Sequence, residues 1–177
     1  MAENANELHN EELEYFFTYG TLMRGRVRED CWPVPPQTVY EARVAGTYLF
    51  DWDIGYPAMV VLDHLPASAS ASESLPKEGR TTQGEVWVYS KDDAEEVRHK
   101  LDMIEGYKSD KERQSLYLRR SGPVSIRTQD GAWQTAIASY YVYNRTGFLL
   151  GEGAHYECPF SSPDTYALWS KRSPDHC

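Results

Sequence analysis

A chain of 177 residues with 41% hydrophobic and 13% aromatic content can fill one domain with a core, and two full domains would be cramped. Its 27 acidic residues outnumber 18 basic ones, and the net charge of −9 argues against a nucleic-acid partner or an anionic membrane surface. Cys31, Cys158 and Cys177 include no close pair and read as neither a disulfide framework nor a zinc cluster. No apolar run reaches the ~18 residues of a membrane helix, and no basic N-terminal stretch leads into an apolar one, so a cytoplasmic location is expected.

Residues 1–13 are polar, acidic and without period, and are expected to form a disordered tail. The first predicted strand is Tyr15 to Tyr19, which stops at Gly20. Residues 23–42 contain Pro33, Pro35 and Pro36, which block a long helix, and are expected to be irregular. Arg43 to Phe50 reads as one strand, and Gly55-Tyr56-Pro57 turns into a short run from Ala58 to Leu62. The small-residue stretch at about 65–80 has too little apolar surface to hold itself and is expected to be a flexible insertion. Gly84 to Tyr89 resumes as a strand.

A helix is predicted over Lys91 to Ile104. Ser90 can cap it, with Asp92 and Asp93 in its first turn, where negative charge suits the dipole. Ala94, Val97, Leu101 and Ile104 fall on one face at helical spacing, and Gly106 sits where a helix C-terminus favours a left-handed residue. Strands are expected at Ser115 to Arg120, Val124 to Thr128 and Trp133 to Tyr143, and residues 146–177 form a C-terminal extension. Many strands and one main helix give an α+β domain over about 14–145. Directly successive strands favour an antiparallel or mixed sheet that can close into a barrel.

Two segments carry candidate chemistry. Tyr19-Gly20-Thr21-Leu22 reads either as a plain glycine turn or as a loop whose N–H groups converge on an anion, with Gly20 at positive φ. Glu105 reads either as a solvated surface carboxylate or as a half-buried one beside Ile104. In the second case burial and the helix dipole raise its pKa toward the range of a general base. The five histidines are scattered without ligand spacing, so no metal is expected. Cys31 reads as packing among Trp and Pro residues. Tyr117, Tyr141 and Tyr143 fall in strands, with barrel-wall packing as the first reading and a pocket phenol as the second.

Five segments then occur in a telling order: Phe17 to Gly25, Gly55 to Ala58, Gly84 to Tyr89, Leu101 to Tyr107, and Tyr117 to Arg119. This arrangement resembles the γ-glutamylcyclotransferase-like family, including its avirulence-induced and antibiotic-biosynthesis branches, over roughly residues 15–143. The resemblance implies a small mixed, mostly antiparallel β-barrel with one main helix and the Tyr-Gly-Thr-Leu loop at the mouth of a cavity. It implies Glu105 as the catalytic carboxylate, Tyr19, Gly20, Thr21, Leu22 and Tyr117 as substrate-binding residues, a small γ-glutamyl substrate, and no metal or cofactor. One departure is Val27-Arg28-Glu29-Asp30, where the family often carries an Asn-His pair. The implied reaction releases 5-oxoproline and a free amine. A non-catalytic binding module on the same fold is the alternative, and a thiol hydrolase using Cys31 or Cys158 ranks third. The discriminating observation is whether Glu105 faces the same cavity as the Tyr19–Leu22 loop. Neither the amine on the γ-glutamyl group nor the oligomeric state is legible in the sequence.

Overall fold

The computed structural model describes residues 12–51, 57–61, 81–144 and 155–156. The strands are β1 (Leu13–Thr18), β2 (Thr38–Ala45), β3 (Thr47–Asp51), β4 (Pro57–Val61), β5 (Thr81–Ser90), β6 (Tyr117–Arg127), β7 (Trp133–Tyr143) and β8 (His155–Tyr156). One helix, α1 (Lys91–Glu105), follows β5 directly. Five strands close into a barrel in the order β1-β5-β2-β6-β7, and β4-β3-β8 form a second, three-stranded sheet. Every barrel pairing is antiparallel except the seam, where β1 meets β7 in parallel. The expected α+β, mixed and mostly antiparallel barrel with one main helix is therefore what the chain forms.

The near-continuous apolar runs of β1 and β5 have a simple cause: both faces of each strand are buried. Tyr15 and Phe17 from β1, with Val86 and Val88 from β5, join Ala42, Val124 and Ala136 inside the barrel. The alternate residues Phe16, Trp87 and Tyr89 turn outward and pack under Ala94, Val97 and Leu101 of α1. Trp32 completes this outer layer, stacked on Trp87 with ring centroids 4.5 Å apart and planes 9° from parallel. The helix begins as expected: the Asp93 N–H donates to Ser90 Oγ at 3.2 Å, and Asp92 and Asp93 occupy the first turn.

Several boundaries differ from the expectations. The strand read as Arg43 to Phe50 is two strands, because Gly46 at φ 71° turns the chain from the barrel into the second sheet. Residues 23–42 are not wholly irregular, since β2 starts at Thr38 and a 3-10 turn spans Glu29–Cys31. The two strands expected around Gly122-Pro123 are one, β6. Pro123 is tolerated there because β2 pairs with β6 only at Ser125 and Ile126, leaving Pro123 in a stretch bonded to β7 alone. Leu13, placed in the tail, already pairs with Ser90. Cys31 packs in the core as expected, but it is disulfide-bonded, against the reading of no disulfide. That bond removes the Cys31 thiol as a nucleophile, and Cys158 and Cys177 lie outside the described residues. So do residues 1–11 of the expected tail, the insertion at about 65–80 and most of the extension at 146–177. No helix among the described residues is long and apolar enough to cross a membrane.

Gly84 fixes how closely β1 and β5 approach. A Cβ built there would lie 2.1 Å from the Thr18 carbonyl oxygen and 2.8 Å from the Phe17 ring. The Thr18 oxygen cannot yield cheaply, because it is backbone at the end of β1. Gly84→Ala is expected to cost at least about 1–3 kcal/mol, the usual range for overpacking, read as a lower urea midpoint at unchanged slope. A smaller loss would mean that the two strands separate easily at this point.

Candidate active site

A pocket of about 200 Å³ opens where five parts of the chain converge. The end of β1 and the following loop supply Phe17 to Leu22, and the last turn of α1 supplies Leu101, Ile104 and Glu105. The start of β6 and the end of β7 add Leu116, Tyr117 and Tyr141, while Arg28 and Trp32 close the remaining side. All six residues expected at the site, Tyr19, Gly20, Thr21, Leu22, Glu105 and Tyr117, line this one cavity.

The loop is built by fixing its carbonyls. The Gly20 carbonyl accepts from the Met23 N–H at 3.1 Å, and the Thr21 carbonyl from the Arg28 N–H at 2.9 Å. The Leu22 carbonyl accepts from Trp32 Nε1 at 2.9 Å. In a planar trans peptide the N–H points opposite the carbonyl, so the Thr21 and Leu22 N–H groups are turned away from these anchors. One expectation fails here. Positive φ among the described glycines occurs at Gly25, Gly46, Gly106 and Gly131, so Gly20 is not in the left-handed region. The bend is instead a turn closed from Met23 to Gly20, and the left-handed residue of the loop is Gly25, at φ 70°.

Glu105 ends α1, one residue before the left-handed cap at Gly106. The Leu116 N–H donates to the Gly106 carbonyl at 3.3 Å, tying the helix end to the approach to β6 and fixing where Glu105 projects. Burial of the carboxyl raises its pKa from 4.5 to about 7, and the nearby positive charge of Arg28 opposes part of that rise. Desolvation disfavours the anion more than the single cation restores it.

The tyrosines beside Glu105 are held by committed donors. Tyr141 donates to Asp102 Oδ1 at 2.7 Å, and Arg119 bonds the other carboxylate oxygen at 2.5 Å. Tyr19 donates to the Tyr141 carbonyl at 2.8 Å. Burial drives the pKa of both phenols upward, so both stay neutral. Tyr117 packs edge-on against Tyr143 with ring centroids 5.5 Å apart.

Sequence reasoning missed Arg28 and Trp32 as pocket residues and gave Tyr141 that place only as its second reading. For Tyr141 a signal existed: two-residue alternation places it on the same face of β7 as Tyr143, which pairs with Tyr117. Arg28 and Trp32 come from an irregular segment where no period marks which side chains point inward.

A family model described as gamma-glutamyl cyclotransferase, AIG2-like matches residues 16–157. The chain belongs to this family. Its γ-glutamyl cyclotransferase fold is similar to that of a yeast γ-glutamyl cyclotransferase specific to glutathione, with TM-score 0.50 and 14% identity over 90% of this chain and 78% of that one. An Arabidopsis thaliana protein solved in solution gives TM-score 0.48 and 19% identity over 81% of this chain and 78% of that one. At such identities the likeness concerns the fold alone. No curated protein matches the chain.

In a γ-glutamyl cyclotransferase fold with this pocket, the titration of Glu105 is directly measurable. Carbon-13 NMR of the Glu105 carboxyl is expected to give a midpoint near 7. Arg28→Met should move the midpoint upward, because it removes the charge that favours the carboxylate. A midpoint at the ordinary value of 4.5 would mean that the carboxyl is solvated.

Proposed function

We propose that the protein is a cyclotransferase that converts a γ-glutamyl amine or peptide into 5-oxoproline and the free amine. The observation that carries this reading is that Glu105 and the Tyr19–Leu22 loop share one small cavity. Family membership supports it independently.

The chemistry follows from the parts. The Thr21 and Leu22 amides hold the α-carboxylate of the γ-glutamyl group in the concave loop. The pocket walls, Tyr117 among them, keep the chain curled so that the α-amine lies against its own γ-carbonyl carbon, which supplies the proximity term. The amine nitrogen bonds to that carbon, and Glu105 accepts the proton the nitrogen loses. The tetrahedral centre then collapses, the original amide C–N bond breaks, and Glu105 returns the proton to the departing amine. Glu105 ends in the state in which it began, and no water is consumed. A carboxyl with a pKa near 7 suits both halves, since it accepts and releases a proton at similar cost near neutral pH. The binding-module alternative requires no half-buried carboxylate in the cavity of the loop, so the arrangement favours catalysis.

The first test is a mass-spectrometric screen of γ-glutamyl amino acids, peptides and amines for released 5-oxoproline. With a substrate in hand, kcat/KM should rise with pH through a limb near 7, as the free enzyme gains its base. Glu105→Gln keeps the side-chain shape without the base and should lower turnover by about 10²–10⁴-fold. Stability should move the other way. The folded pKa of about 7 lies above the ordinary value of 4.5, so the native state holds the proton more tightly. Native stability therefore falls as pH rises between those values and stays lower above them. Glu105→Gln should remove that slope and be more stable at pH 8 by roughly 2–3 kcal/mol. Full activity in the variant would defeat the mechanism.

A further inference from the structure

The loop that lines the pocket is gripped from behind by a carboxylate that does not itself line it. Glu85 lies in β5, opposite Thr18 of β1, and its side chain is 11% exposed. Its Oε2 accepts the backbone N–H of Arg24 at 2.8 Å, and its Oε1 accepts Arg24 Nε at 2.8 Å. A third donor, Trp87 Nε1, reaches Oε2 at 3.2 Å. Trp87 stacks on Trp32, and Trp32 in turn donates to the Leu22 carbonyl. The contacts form a ring. The loop is held at Leu22 by one tryptophan and at Arg24 by the carboxylate, and the two holds are joined through the stacked indoles and the Trp87–Glu85 bond.

From this ring we infer that Glu85 is a positioning residue, which sets the geometry of the Thr21 and Leu22 amides for an anionic ligand through Arg24. The inference rests on the proposed reading that these amides hold the substrate carboxylate. A carboxylate so near an anion site is a paradox unless its charge is spent elsewhere. The Arg24 guanidinium, the Arg24 N–H and the Trp87 indole together neutralise and saturate it, so it repels the ligand little while its bonds fix the backbone. The preceding residue contributes to the same end. Gly84 has no Cβ to push the Thr18 carbonyl away, so β1 runs against β5 up to the point where the loop departs. Adjacent positions of β5 thus act on the loop in different ways, one by leaving space and the other by charge.

The test uses Glu85→Gln in the full chain. The amide retains one acceptor oxygen and loses the ion pair, so the Arg24 grip is halved. Amide hydrogen exchange over residues 20–24 should accelerate by about tenfold or more, while α1 and the centre of β5 exchange as in the parent. With a γ-glutamyl substrate, KM should rise by about tenfold with kcat within about threefold, because Glu105 and the chemistry are untouched. Arg24→Met serves as the second variant, since Arg24 is 54% exposed and its loss breaks the ion pair without opening the core. It should move exchange and KM in the same direction by less. Unchanged loop exchange and unchanged KM in folded variants would overturn the proposal, as would a fall in kcat alone. The exchange arm needs no turnover, so it stands even if the parent processes no γ-glutamyl compound.

Discussion

Burial of both faces of β1 and β5 underlies the architecture. A strand wetted on one side would need polar residues at every second position, yet Phe16, Phe17, Val86, Trp87, Val88 and Tyr89 are all buried. Such strands are stable only if something covers each face, so the barrel must close on one side and α1 must lie on the other. The direct passage from Ser90 into α1 enforces this, since the helix starts where β5 ends and runs back across its outer face. With Ala94, Val97 and Leu101 held against that layer, the helix terminus has little freedom. Glu105 is carried to the end of β1 by packing that has nothing to do with catalysis.

The same packing explains the electrostatics of the pocket. A carboxylate at a helix C-terminus meets the negative end of the dipole and gains nothing from it. Glu105 also loses water to the apolar wall of Leu101, Ile104 and Leu116, and only Arg28 offsets that loss. Tyr141 and Tyr19 do not compete for its proton, because their hydroxyls already donate to Asp102 and to the Tyr141 carbonyl. The titrating group of the cavity is thereby isolated among neutral neighbours and one cation.

What was legible in the sequence follows from which signals are local. The helix could be read because its cap, its period and its terminating glycine are all set by nearest neighbours. Glu105 was visible because it stands out of character, an acid just before a left-handed glycine. The break at Gly46 was hidden, since one glycine in an apolar run does not announce a change of sheet. Gly122-Pro123 misled in the opposite sense: its tolerance within β6 depends on how far β2 extends alongside, which is a tertiary fact. Arg28 and Trp32 were invisible for a related reason, as the segment that carries them has no regular geometry from which to infer facing. Nothing near Glu85 in the sequence marks its partner, and only the placement of Arg24 shows what it holds.

The barrel seam gives the cavity its origin. β1 makes a ladder of six residue pairs with β5 but a single bridge to β7, Phe16 to Ser139. Beyond that bridge no further backbone pair joins the two strands, and the residues that follow, Phe17 to Tyr19 on one side and Tyr141 on the other, are pocket walls. The Tyr19 hydroxyl donates to the Tyr141 carbonyl, so a side chain links the two strands past their last backbone pair. The cavity thus lies where the backbone zipper stops, and a phenol rather than a peptide makes the next link across it.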